Sequence, residues 1–403
     1  MLLRRDRSDP ATAPMSNRPW IKHAATLGVV ALAVVATAGC SARSTPASSP
    51  PSSHGNHLSA PPAAPLRDGE RFQTLTMAGA YTPSAPGGGT DEYRCFLVDP
   101  GFAELTYLTG SQFLPQNADI VHHAIFFRLN PSDLAAAHKL DTDSPGDGWT
   151  CFSGTGIGDG GLQDWVAGWA PGTNETLLAP NLGAPMPAGS QLVMQVHYNL
   201  LATNGKPGGS DQSSIRLRVS NKPLSPLLTT LLAAPVELPC APDESGPLCT
   251  RDAAIADVIS RFGTDVGTMS PVLDKYCNAD GAPNPGPTQH CDIPFPVAGT
   301  IYAGAGHMHL LGRSIKVELN PGTDRAKTLL DVPNYNFDDQ GLRPLANPVA
   351  IAPGDTLRVT CTHDITLRKQ LPQLKTLPAR YVAWGDGTSD EMCLGIIVWT
   401  PTA

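Results

Sequence analysis

Gly306-His307-Met308-His309-Leu310-Leu311-Gly312 leads directly into Arg313-Ser314-Ile315-Lys316-Val317-Glu318-Leu319. The second segment alternates polar and apolar residues, the period-two pattern of a β-strand with one buried face. Carried back into the first segment, that alternation points His307 and His309 at one place, because residues i and i+2 share a face. Two adjacent imidazoles are the simplest half of a metal site that a strand can offer. An H-x-H pair alone is a weak signal, so its meaning depends on the rest of the chain.

Similar runs recur at 93–98, 120–129, 191–198, 214–219, 314–319, 356–362 and 393–399, separated by turns rich in Pro, Gly and Asp. With 39 Gly, 40 Pro and only 16% charged residues, long helices are disfavoured and a turn-rich β protein is expected. The one helical stretch is 251–261, inside an insertion bounded by Cys249 and Cys277. No repeat with a period of roughly 20–50 residues is present, which argues against a solenoid or propeller. A chain of 403 residues can bury two separate cores. Asn221-Lys222-Pro223-Leu224-Ser225-Pro226 interrupts the strand pattern near the middle. The expected fold is therefore all-β: two antiparallel jelly-roll-like β-sandwich domains in tandem, at 90–220 and 221–403.

Arg18 and Lys22 precede an apolar stretch, 24–38, too short for a comfortable membrane span and followed by Gly39-Cys40. Residues 1–40 read as an export signal whose end resembles a bacterial lipobox, with Cys40 lipidated and the chain anchored to the outer face of the plasma membrane. Thr37 is unusual for such a box, and plain secretion or an uncleaved anchor are the alternatives. Residues 41–89, rich in Ser and Pro, read as a disordered tether that carries a solvated His54 and His57. Eight further cysteines form an even set and no C-x-x-C, which in an exported protein favours disulfides. The net charge of −8 and the lack of a basic stripe exclude nucleic acid as a partner.

Candidate ligands lie in four segments. The first, Asp119-Ile120-Val121-His122-His123-Ala124-Ile125-Phe126-Phe127, holds two adjacent histidines, which reach one metal only where the strand twists or ends. The second, Leu192-Val193-Met194-Gln195-Val196-His197-Tyr198-Asn199, holds one inward histidine that, read alone, is a core residue. The third is His307-Met308-His309, with Met308 turned away. The fourth, Thr388-Ser389-Asp390-Glu391-Met392-Cys393, holds a thioether that read alone is core packing but as a ligand suits copper over zinc. His363 is a spare candidate, read as a surface-loop residue.

The order His-His, Q-V-H-Y, H-x-H-L-x-G and D-E-M-C resembles the copper type II ascorbate-dependent monooxygenases, over about 91–400. The resemblance implies two copper ions and an ascorbate-class reductant. His122, His123 and His197 would hold an electron-relaying copper, and His307, His309 and Met392 the copper at which oxygen and substrate meet. Tyr93 and Gln195 match residues lining the first site. It also implies disulfides Cys95–Cys151 and Cys361–Cys393; Cys240–Cys249 and Cys277–Cys291 follow from proximity in sequence alone. Asp390 and Glu391 would support the turn before Met392.

In peptide-amidating members an Arg stands where this chain has Ala305, and an Asn and a Tyr where it has Leu394 and Ile396. A peptide C-terminal glycine is thus not the expected substrate; a neutral or aromatic small molecule is. The expected protein is a monomer that hydroxylates a C–H bond of a small molecule with O₂. The alternatives are a non-catalytic copper-binding or electron-transfer lipoprotein, or a zinc hydrolase. The latter needs a general base, and no H-E-x-x-H occurs; nor does a strand-to-helix G-x-G-x-x-G for a nucleotide cofactor.

Overall fold

The computed structural model describes residues 62–152, 154–158 and 165–402. The export signal, Cys40, His54 and His57 lie outside the described residues. Among the described residues no helix is long and apolar enough to cross a membrane.

The anticipated strands form two pairs of sheets. In the first pair, one sheet runs Glu70–Thr76, Ser214–Ser220, Thr106–Leu114 and Leu182–Met186, with Glu175–Leu177 also joined to Thr106–Leu114. The other runs Trp149–Thr150, Asp91–Val98, Gln191–Asn199, Val121–Leu129 and Trp165–Trp169. These neighbours pair antiparallel. Phe113, Ile215 and Leu217 from one sheet meet Phe96, Phe126 and Met194 from the other in a shared core. Alternating residues of each strand fill this layer, as expected for a sandwich.

The second pair is built the same way. One sheet runs Leu228–Ala233, Leu394–Pro401, Gly299–His307 and Arg343–Ile351; the other Thr288–Phe295, Asp355–His363, Gly312–Leu319 and Lys327–Val332. Its core joins Ile301, Ile397 and Trp399 to Ile315, Val317, Leu357 and Val359. Gly306 and Gly395 pair across two of these strands. A Cβ on Gly306 would lie 2.5 Å from Ile315 Cγ2, and one on Gly395 2.8 Å from Val317 Cγ2, so only glycine allows this close approach of the sheets. The end of the strand carrying His307 and the start of Leu394–Pro401, just after Met392, are thereby set against a rigid layer.

The helix Arg251–Phe262 is present, with Ala254, Val258 and Phe262 buried at a spacing of four and Gly263 ending it at φ 89°, but it is not the one helix: Leu134–Asp143 and Met269–Cys277 are helical as well. The tether reading requires correction at its C-terminal end. Glu70–Thr76 is a full strand in register with Ser214–Ser220. Phe72, Leu75 and Met77 supply apolar side chains that the compositional reading of 41–89 averaged away. The chain pairs with the first sandwich as far as Ser225–Pro226 and enters the second at Leu228. The four disulfides are Cys95–Cys151, Cys240–Cys249, Cys277–Cys291 and Cys361–Cys393.

The two sandwiches meet over a shared apolar cluster of Leu182, Leu227, Ala303 and Val398. Polar contacts accompany it. The Tyr93 hydroxyl donates to the Asp386 carbonyl at 3.0 Å, and the Thr388 hydroxyl donates to Asp91.

Candidate metal centre

His123 sits directly opposite His197 on the neighbouring strand, and Tyr93 opposite His197 on the other side. The pairing of Val121–Leu129 slips between Val121 and His123. Such a bulge re-aims a side chain, and it removes the obstacle that strict alternation posed for His122 and His123. All three rings converge: their centroids are 5.3, 5.2 and 4.7 Å apart. His123 Nδ1 lies 3.2 Å from His122 Nδ1 and 3.4 Å from His197 Nδ1. Within 4.8 Å of one another, the three can offer one ligand atom each to a single ion.

The surroundings set which nitrogen is free. His197 Nε2 lies 3.0 Å from Asp91 Oδ1, so the proton sits on Nε2 and the Nδ1 lone pair faces the other rings. Burial alone would raise the Asp91 carboxyl. Its bond to His197, backed by Thr388 and Thr90, instead holds it below the usual range. Burial, then the neighbouring imidazoles, pushes His122 and His123 well below the ordinary histidine range. Neutral rings whose nitrogens converge within reach of one ion are the donor set a metal takes, so this group fits one. Tyr93 stacks flat on His197, with centroids 4.1 Å apart and planes 11° apart.

The second group forms where the sheets of the other sandwich end. Here the strand reading needs correcting. Gly299–His307 ends at His307, the alternating strand begins only at Gly312, and His309 lies in the connection. A turn closed by Gly312 N donating to His309 O, rather than alternation along one strand, brings the rings to 5.1 Å. His307 Nδ1 bonds Gln340 Oε1, and His309 Nδ1 donates to the Asp390 carbonyl at 3.2 Å. Both arrangements leave Nε2 as the free acceptor, and His309 Nε2 is buried with no partner. Burial, then His309 beside it, pushes His307 down to about 3. Met308 is fully buried in the core, away from the pair.

Glu391 ties this group together. Its carboxylate accepts from His309 N (2.9 Å), Leu311 N (2.6 Å) and Met392 N (3.3 Å). Asp390 pairs with Arg261 at 2.7 Å and Arg380 at 3.6 Å, and stays below its usual range despite burial because of those cations. His363 is not a surface-loop residue. It ends the strand Asp355–His363, is buried, and its Nε2 lies 3.3 Å from Glu391 Oε2. Apolar strand packing on both sides carries it inside, which the isolated C-T-H-D motif did not reveal.

Met392 and His307 line one cavity together with His123, Tyr93 and Gln195. Gln195 does not face the histidines with a free amide, since its Nε2 donates to Cys151 O (2.8 Å) and Gly154 O (3.0 Å). Residues that sequence reasoning missed are Asp91, Thr388, Gln340 and Phe337, whose ring stacks on His122 at 4.2 Å. Asp91 alone had a signal: it lies two residues before Tyr93, on the same strand face.

Residues 285–403 match the family described as copper type II ascorbate-dependent monooxygenase, C-terminal domain. The C-terminal part of the chain is thus similar to that domain. It is 24% identical over 334 residues to MOXD1 homolog 1 of Drosophila melanogaster, covering 77% of this chain and 40% of the relative. It is 21% identical over 355 residues to tyramine beta-hydroxylase of Caenorhabditis briggsae, covering 83% of this chain and 50% of the relative. The chain thus spans half or less of the length of these relatives. Among solved structures, the major capsid protein P2 of bacteriophage PM2 aligns with 83% of this chain and 98% of its own, at 9% identity and a TM-score of 0.30, too slight a likeness to extend the description of the fold. The likeness to that domain and the four disulfides suit a secretory or extracellular setting.

Proposed function

We propose that this chain is a copper-dependent monooxygenase that hydroxylates a C–H bond of a small organic molecule. The observation that carries the reading is the convergence of His122, His123 and His197 beside a cavity that also reaches His307 and Met392. The overall change is R–H + O₂ + two electrons + two protons giving R–OH and water, with the electrons drawn from a donor of the ascorbate class. Copper bound at the two groups supplies the one-electron redox chemistry this requires.

The protein's own part is to hold ligands and exclude water. Asp91 keeps the His197 proton on Nε2, so Nδ1 stays available. Asp390 and Gln340 do the same for the Nε2 atoms of His309 and His307. His307, His309 and Met392 form a nitrogen-and-sulfur set that would hold cuprous copper, and His122, His123 and His197 would hold a second copper able to supply electrons one at a time. Tyr93, stacked on His197, fixes that ring beside the cavity wall. A cavity next to the second group favours catalysis over the reading of a non-catalytic electron carrier.

We further read the chain as an exported monomer of two copper domains, meeting near residue 221, tethered to the membrane by a lipid on Cys40. Metal analysis of the purified chain should find two copper ions, and ascorbate should support substrate-dependent O₂ uptake. Met392→Ile should abolish hydroxylation while the three-histidine copper stays bound. One zinc and no copper would remove the proposal, and full activity in the Ile variant would remove Met392 from the site.

A further inference from the structure

The cavity beside the two histidine groups has a volume of about 350 Å³ and draws its walls from both sandwiches. Ile125 and Trp169 come from the first; Leu231, Ala305, Leu394 and Ile396 come from the second. No Lys or Arg lines it. Among its polar groups, three that could anchor a ligand are already engaged with the protein, and Ser111, Thr176 and Thr229 add only uncharged hydroxyls. The Tyr93 hydroxyl and the Gln195 amide donate to backbone carbonyls, and Gln340 bonds His307 Nδ1 while donating to Phe337 O. The single lining carboxylate, Asp386, is buried and has a partner of its own.

An anion entering such a space leaves its hydration shell and finds no side-chain cation, and a cation finds only Asp386, which already has a partner. An uncharged apolar ligand gains burial at no such cost. An engineered apolar cavity of roughly 150 Å³ accommodates benzene. From these walls and this size, we infer that the cavity takes an uncharged, apolar aromatic molecule of one or two rings, and that Ala305 and Ile396 set its size limit. The inference rests on the hydroxylase reading for its consequence, since it names the class of molecule that would be hydroxylated. It stands on the cavity alone for binding.

Three probes with a common phenylethyl frame separate the possibilities: propylbenzene, the 2-phenylethylammonium ion and 3-phenylpropionate. Binding is followed by quenching of tryptophan fluorescence in the full chain, before and after copper loading. In the copper-free chain propylbenzene should bind at least about tenfold more tightly than either ion. Ala305→Leu, which adds carbon to the cavity, should weaken it about tenfold. Ile396→Ala, which only removes atoms, should shift the preference from propylbenzene toward 2-propylnaphthalene; it serves as the second variant should Ala305→Leu fail to fold.

Either ion binding the copper-free chain as tightly as propylbenzene overturns the inference, as does unchanged size preference in the folded variants. Copper content of the same samples tests the hydroxylase reading separately. Neutral preference without copper removes the proposed function and keeps this site. Copper without neutral preference does the reverse.

Discussion

The rings of His123 and His307 lie edge to face with their centroids 5.7 Å apart, although one histidine belongs to each sandwich. Phe337 closes the same gap from the other side, stacked on His122 at 4.2 Å and lying 6.2 Å from His309. The two groups are therefore neighbours in one buried space, not two sites facing each other across open solvent. Two Cu(II) ions held at these groups should couple magnetically. The expected result is an electron paramagnetic resonance intensity well below two spins per chain. Replacing His307 and His309 with Ala should restore one isolated cupric signal. Two full, independent signals from the doubly loaded protein would show that the groups do not share a centre.

Asp91 is the residue that fixes the His197 tautomer, and it is held in turn by Thr388 from the other sandwich. Asp91→Asn keeps the shape but removes the charge that secures the proton on Nε2. Partners of this kind contribute roughly 10–100-fold in metal affinity. Copper affinity at the three-histidine group should fall by about that factor, read by competition with a chelator, while the second group changes little. An unaltered affinity would mean that packing alone orients His197.

Much of this arrangement was legible before any coordinates. The strands carrying His123 and His197, and the one that begins just after Met392, each coincide with an apolar run whose period and turns are local properties of the sequence. The convergence of His122 with His123 was not, because it depends on a register slip opposite His197 that no local pattern announces. The place of His309 was misread for a related reason: alternation downstream of Gly312 was extended across a turn. Asp91, Thr388, Gln340 and Phe337 stayed hidden because their roles arise only when distant segments meet. Burial of His363 is likewise a consequence of which strands flank its own.

Glu391 provides an oxygen for three buried N–H groups on both ligand-bearing segments. Glu391→Ala strands these donors, each costing roughly 1–3 kcal/mol when left unpaired in the interior. Denaturant unfolding of the metal-free chain should show a loss of about 3 kcal/mol or more. Copper titration of the folded fraction should give one ion per chain instead of two, with the three-histidine group still filled. A variant that is destabilised yet binds two ions would limit Glu391 to a structural part.

Asp274 offers a pH test that is independent of any metal. It is almost fully buried in the helix Met269–Cys277 and shares Arg251 with Glu237. Arg251 makes two bonds to Glu237, at 2.8 and 2.7 Å, and one to Asp274 at 2.6 Å. Its charge is thus largely committed to Glu237. Burial, then the Glu237 carboxylate, raises Asp274 to about 7 against the pull of Arg251. The folded chain therefore holds this proton more tightly than the unfolded chain does. Its contribution to stability is complete below the ordinary aspartate range and is lost as pH rises through about 7. Between about pH 5 and about pH 8 the melting temperature should decline more steeply in the parent than in Asp274→Asn, which has no proton to lose. Asn also gives up the ion pair with Arg251, so the informative quantity is the slope with pH and not the absolute stability. Parallel slopes for the two proteins would show that Asp274 is ionised throughout and that Arg251 serves both carboxylates equally.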